Sequence, residues 1–258
     1  MPKVAHYNAH NPEEEVQYVE EGRRLYDQAI PDHQVSVIQG KKRMHLRDEI
    51  FNKYDFKKRS IDVSKLTAYE NKDKIINSIE GNRVVIIDGF TGCGKTTQVP
   101  QLIIDRAAEL RNVIVTQPRK VAAVSVARRV CEERCWELGT VVGYQVDMDK
   151  RVSKEDTLVT YMTTGVLLRK LTGCKTFKEW THIIVDEVHE RDLDTDLLLL
   201  LIKKILIEDK LGKERNVKLI LMSATIEDVF LDHLISSPLS MCKLRLCKFF
   251  ARNNRNHA

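Results

Sequence analysis

The residues best suited to chemistry lie between Val84 and Gln98, VVIIDGFTGCGKTTQ. Counted from Gly89, this stretch has the spacing G-x-x-x-x-G-K-[ST], with an apolar run before it and a helix-like pattern after it. Glycines let a backbone approach an anion closely, and successive N–H groups then point inward at phosphates. In such a loop Lys95 reaches the β- and γ-phosphates of a nucleotide and Thr96 ligates Mg²⁺. The competing reading is a glycine turn that holds nothing, which the strand and helix flanks disfavour.

A second group follows roughly 90 residues after the lysine: Ile183-Ile184-Val185-Asp186-Glu187-Val188-His189. An apolar strand here delivers two carboxylates at its carboxyl end. Beside a phosphate loop, Asp186 is placed to hold Mg²⁺, largely through water, and Glu187 to orient or deprotonate the attacking water. Taken alone, the same residues read equally well as a charged turn with Asp186 capping a helix.

These groups need a scaffold that brings them together. Strands are expected at 84–88, 113–116, 141–146, 157–161, 182–186 and 218–222, and helices at 66–79, 95–110, 120–137, 165–171 and 194–207. Val- and Ile-rich strands alternating with helices imply an α/β fold, a parallel sheet covered on both faces. Ligand loops then lie at the carboxyl ends of the strands. Residues 1 to about 60 are highly charged, with Glu14–Ala29 a possible helix and KKR at 41–43 and 57–59; a solvated surface suits both basic clusters better than a localisation signal. The final residues, from Met241, match no element and read as a basic tail.

Composition narrows the function classes. The net charge is +5, and the five basic residues after Cys242, with no acid among them, account for all of it. Any nucleic-acid contact must therefore be argued from local motifs. The apolar run Leu197–Ile202 is too short to span a bilayer, and the N-terminus lacks a signal core. Six cysteines form no C-x-x-C pair, and Cys131 and Cys135 read as partly buried thiols, not half a metal site. Reduced thiols fit an intracellular, cytoplasmic chain with no membrane partner.

The set TGCGKTTQ (91–98), TQPRK (116–120), TTG (163–165), DEVHER (186–191) and SAT (223–225) resembles the first RecA-like domain of DEAH-box RNA helicases over about residues 63 to 230. Cys93 in the loop and the run DEVHERDLDTD look most like the Tudor-domain helicases of the piRNA pathway, the spindle-E type. The resemblance implies a RecA-like P-loop NTPase, a three-layer sandwich that uses ATP and Mg²⁺. It implies that Gly89, Thr91, Gly92, Cys93, Gly94, Lys95, Thr96 and Thr97 cradle the triphosphate and metal. It further implies that His189 couples the nucleotide to a second RecA-like domain, and that Ser223 and Thr225 link hydrolysis to strand separation. Arg129 matches a residue that stacks on adenine, against the alternative of pairing with an acid on its own helix. Arg119, Lys120, Thr163 and Thr164 match RNA-backbone contacts, which carry no base identity; Arg119 reads equally well as a surface residue at a helix start.

Several positions depart from the family pattern. Phe90 stands where Glu is common, Val188 where Ala is, Thr164 where Asp is, and Asp147 where Arg is. No QRxGR stretch is present. The expected division is an N-terminal extension (1–62), an ATP-binding domain (63–232) and a basic tail (233–258). The resemblance implies an ATP-dependent RNA helicase represented by its ATP-binding half, truncated and inactive in unwinding alone. The alternative is a non-catalytic module that binds nucleotide, RNA or protein. Implied partners are RNA, a second RecA-like domain and piRNA-pathway proteins, in cytoplasm or perinuclear germ granules, with a nuclear setting left open.

Overall fold

The computed structural model describes residues 46–106, 111–174, 177, 179–208, 217–224 and 241–246. The chain divides into two units, 1–45 and 46–258, and the described residues all belong to the second. The helix considered at Glu14–Ala29 and the basic cluster at 41–43 lie outside them.

The strands are β1 (Val84–Gly89), β2 (Val113–Gln117), β3 (Val142–Val146), β4 (Asp149–Arg151), β5 (Val159–Thr163), β6 (His182–Val185), β7 (Lys218–Ser223) and β8 (Met241–Leu246). They form one sheet in the order β4-β3-β5-β2-β6-β7-β1-β8. All described pairings are parallel except β3 with β4. The helices are α1 (46–53), α2 (Thr67–Glu70), α3 (Lys72–Gly81), α4 (Lys95–Asp105), α5 (Lys120–Arg134), α6 (Thr164–Cys174) and α7 (Leu193–Glu208), with a 3₁₀ turn at Val188–Glu190.

The strand residues split by parity, as a pleated strand requires. Val85, Ile87, Val115, Ile184 and Ile220 join one core with residues of α2 to α5. Val84, Ile86, Ile114, Ile183 and Leu221 join a second core with α6 and α7. The expected three-layer arrangement around a mostly parallel sheet is what forms. Sheet order places β1 and β6 on either side of β7 and puts β2 beside β6, so the loops after β1, β2 and β6 converge.

Three segments differ from the sequence reading. Residues 46–66 pack on the domain: Ile50 is buried, the Ser60 N–H donates to the Glu133 carbonyl at 2.8 Å, and Arg59 donates to Gln101 Oε1 at 3.1 Å. Arg59 of the second basic cluster is thus half-buried against α4 instead of solvated. At the other end, Met241–Leu246 is not a loose tail but strand β8, parallel to β1, with Leu246 buried. Its alternation of Lys243 and Arg245 with Leu244 and Leu246 is the period-2 signature of an edge strand. Third, β4 carries only exposed residues, so no apolar pattern announces it. Cys135 ends α5 earlier than expected by adopting φ +54°, a conformation usually left to glycine. Cys131 is buried and its thiol is pushed up to about 12 by burial, whereas Cys135 is exposed.

Candidate nucleotide site

The loop between β1 and α4 owes its shape to Gly92 (φ +82°) and Gly94 (φ +91°), both in the left-handed region that favours glycine. Leu66 packs against Gly94, and the Ala68 N–H donates to the Cys93 carbonyl at 2.9 Å, so residues preceding β1 brace the loop from outside. Thr91 and Gly92 are exposed, Cys93 is buried, and Thr97 is half-buried in the first turn of α4. Lys95 is 6 % exposed, and its ammonium donates to the carbonyls of Gly89 and Phe90, the latter at 3.2 Å. A buried ammonium resting on loop carbonyls, beside a helix N-terminus, is a donor set suited to phosphate oxygens.

Asp186 follows β6 directly and is 2 % exposed. Its Oδ2 accepts from Thr96 Oγ1 at 2.5 Å and from Gln117 Nε2 at 2.7 Å, and its Oδ1 accepts from the Glu187 N–H at 2.9 Å. Burial pushes its carboxyl up to about 6, with the neighbouring Glu187 charge adding to the shift; the hydrogen bonds from Thr96 and Gln117 oppose it. A divalent cation at the Thr96–Asp186 pair reverses that preference by favouring the carboxylate. No cluster of three or more His, Cys, Asp or Glu side chains suited to a metal occurs among the described residues. The pair fits Mg²⁺, which takes few protein ligands and completes its shell with phosphate and water oxygens.

Glu187 adopts φ +53°, and Arg191 φ +50°, both uncommon for residues with a side chain. The tight turn between them aims Glu187 and His189 back toward β7. His189 Nδ1 lies 3.3 Å from Glu187 Oε2 and 3.1 Å from the hydroxyl of Ser223, which is buried at the end of β7. DEVH and SAT therefore touch through one imidazole. Thr225 lies outside the described residues.

The candidate RNA contacts gather at the same edge. In the β2–β5 register, Gln117 stands opposite Thr163, and Thr164 Oγ1 donates to the Gln117 carbonyl at 3.4 Å. Arg119 and Lys120 are exposed at the start of α5, and Arg119 reaches Glu190 at 3.4 Å. Arg129, by contrast, pairs with Glu133 on its own helix at 3.1 Å. Glu133 is buried and also accepts from Gln98 and Gln101 of α4, at 2.9 and 3.0 Å. Of the departures from pattern, Val188 is buried and Phe90 is 41 % exposed, while Asp147 forms an exposed ion pair with Arg169 at 2.7 Å.

Two residues outside the candidate set also belong to this site: Gln117, through Asp186, and Tyr161, whose hydroxyl donates to the Thr96 carbonyl at 2.9 Å. Gln117 lies inside TQPRK, where its type and position carry no mark that separates it from the basic residues beside it. The signal for Tyr161 was Pro100, whose missing N–H leaves a helix carbonyl to be satisfied from elsewhere.

A phosphate loop after the first strand, with paired acids after a parallel strand one removed from it across β7, defines a P-loop nucleoside-triphosphatase fold. Residues 69–233 match the DEAD/DEAH box helicase family, and the chain belongs to that family. It is 46 % identical over 209 residues to the probable ATP-dependent RNA helicase spindle-E of Drosophila mojavensis, covering 80 % of this chain and 14 % of that protein. The Anopheles gambiae relative of the same name is 45 % identical over 77 % of this chain and 13 % of its own length. The Drosophila grimshawi relative is 50 % identical over 63 % of this chain and 11 % of its own length. The chain thus matches only a small part of these relatives. No helix among the described residues is long and apolar enough to cross a membrane.

Proposed function

We propose that residues 63–232 form the ATP-binding motor domain of a DEAH-type RNA helicase of the spindle-E kind, with RNA held by its backbone. The observation that carries this reading is the 2.5 Å bond from Thr96 of the phosphate loop to Asp186 after β6. It joins two segments far apart in sequence into one metal-binding pair beside Lys95. Mg·ATP, when bound, supplies the electrophilic γ-phosphoryl group and the charge that the metal neutralises. The loop from Gly89 to Thr97 holds the triphosphate through its N–H groups, Lys95 binds the terminal phosphates, and Thr96 and Asp186 hold the metal. Glu187 orients a water and takes its proton, His189 and Ser223 relay the state of the site to a partner domain with Thr225, and Arg129 turns from Glu133 onto the base.

Arg119, Lys120, Thr163 and Thr164 supply the sequence-independent contacts to RNA. In this reading residues 63–232 by themselves bind Mg·ATP weakly, turn it over very slowly and do not unwind duplex, because a second RecA-like domain supplies the arginine side, worth on the order of 10³–10⁵ in rate in related nucleotidases. A perinuclear or cytoplasmic setting among piRNA-pathway proteins goes with the spindle-E likeness. Comparison of Lys95→Ala with Glu187→Gln tests the assignment. Nucleotide binding falls in the first, whereas in the second binding stays and hydrolysis falls. Equal binding by wild type and Lys95→Ala would sink the reading and favour a non-catalytic protein- or RNA-binding module.

A further inference from the structure

Pro100 lies inside α4. Proline has no N–H, so the carbonyl four residues earlier, that of Thr96, has no helical donor. The sheet provides the missing one: the Tyr161 hydroxyl donates to the Thr96 carbonyl at 2.9 Å. Tyr161 is fully buried on β5, and burial holds its phenol well above the usual range, so it stays a donor. Both polar groups of Thr96 beyond its N–H are therefore committed, the carbonyl to β5 and the hydroxyl to Asp186.

A second link closes the circuit. Gln117 Nε2 holds Asp186 at 2.7 Å, while the Gln117 carbonyl accepts from Thr164. Four hydrogen bonds join Thr96 to Asp186, Asp186 to Gln117, Gln117 to Thr164 and Tyr161 to Thr96, and the backbone from Tyr161 to Thr164 closes the ring. Thr163, the last residue of β5, and Thr164, the first of α6, are thus joined to the Thr96 carbonyl through β5 itself.

We infer that Tyr161 is a positioning residue that ties the metal-binding hydroxyl of Thr96 to the β5–α6 junction at Thr163 and Thr164, so that RNA on that junction and Mg·nucleotide in the loop strengthen each other. The inference rests on the nucleotide and RNA readings proposed above.

Thermodynamic linkage tests it. The affinity of the 258-residue chain for a fluorescent, non-hydrolysable Mg·ATP analogue is measured with and without an oligouridine of about twelve nucleotides. The wild-type affinity rises on the order of fivefold with RNA. In Tyr161→Phe this ratio falls to near one, and the melting temperature drops by a few degrees because the Thr96 carbonyl loses its donor. Adding Pro100→Ala returns an N–H to that carbonyl: the melting temperature recovers and the ratio does not. Recovery of both would make Tyr161 only a substitute helix donor and overturn the inference. An unchanged ratio in Tyr161→Phe would overturn it as well, with the two binding readings left standing. A wild-type ratio of one, with Mg·nucleotide binding intact, would overturn both the inference and the RNA reading. Absence of Mg·nucleotide binding would remove the nucleotide reading and the inference with it.

Discussion

Strand β6 has an ionisable residue at each end, His182 at its start and Asp186 just past its finish, and both are buried. Each is pushed toward its neutral form, His182 down to about 3 and Asp186 up to about 6. The causes separate them. Burial dominates in both, but His182 is further discharged by the neighbouring cations Arg111 and Lys218, around a cavity of about 170 Å³. Asp186 is stressed by a like charge, Glu187, and receives three donors, two of them side chains that a cation can displace or share. A neutral imidazole in that place serves the fold. Asp186 is instead a carboxylate that a cation would favour, which is the role proposed for it, at the ligand-binding end of a parallel sheet.

The largest effect that would break this contrast comes from Asp186→Asn. Mg·ATP affinity should fall on the order of 10²-fold by calorimetry, about 2.7 kcal/mol. The same change should stabilise the protein at pH 8. A carboxyl raised from 3.8 to about 6 destabilises the fold by about 3 kcal/mol once ionised in both states. Stability is therefore highest below the unfolded value and falls as pH rises through about 6. The asparagine amide facing the Glu187 N–H takes back about 1 kcal/mol, so denaturant unfolding should show a net gain of about 1–2 kcal/mol. A loss of stability would place Asp186 with His182 as a structural group.

His182 gives the next effect, with the opposite sign. Its folded value lies below the unfolded 6.5, so the unfolded chain holds a proton that the native protein lacks between about 3 and 6.5. Stability attributable to His182 is present above 6.5 and is lost at about 1.4 kcal/mol per pH unit as pH falls below it. Unfolding free energies from urea titration at pH 7.5 and 5.5 should differ less in His182→Asn than in wild type by about 1.4 kcal/mol, with Mg·ATP affinity at pH 7.5 unchanged.

A smaller effect tests Arg129, which borders the nucleotide loop through Glu133, Gln98 and α4. Arg129→Ala should cost about 1 kcal/mol of stability, because it takes one donor from the buried Glu133 carboxylate while those from Gln98 and Gln101 remain. It should weaken ATP several-fold while leaving Mg·tripolyphosphate binding unchanged. Equal loss for both ligands would mean that Arg129 serves the loop and not the base.

The parts of this contrast differed in how plainly the sequence announced them. Buried parallel strands such as Val84–Ile87 are apolar on both faces and flanked by helices, and Gly94-Lys95-Thr96 has few alternatives once a strand precedes it. The partners that tune the site lay in the sheet register, which a one-dimensional pattern does not contain. Gln117 meets Asp186 only because β2 neighbours β6, and Tyr161 meets Thr96 only because β5 lies beside β2. β8 carried a legible alternation, but its basic residues read as a tail because no flanking helix framed it. Arg59 looked solvated because its partner Asp105 is 46 residues away.

In the proposed reading Lys95, Thr96 and Asp186 together hold one Mg·nucleotide. The most direct test of this claim is calorimetric titration of the chain with ATP at pH 8, with Mg²⁺ and with EDTA. Wild type should bind at least tenfold more tightly with Mg²⁺ (about 1.4 kcal/mol), and that difference should vanish in Asp186→Asn. Binding that is indifferent to Mg²⁺ in wild type, or a Mg²⁺ effect undiminished in Asp186→Asn, would contradict the claim.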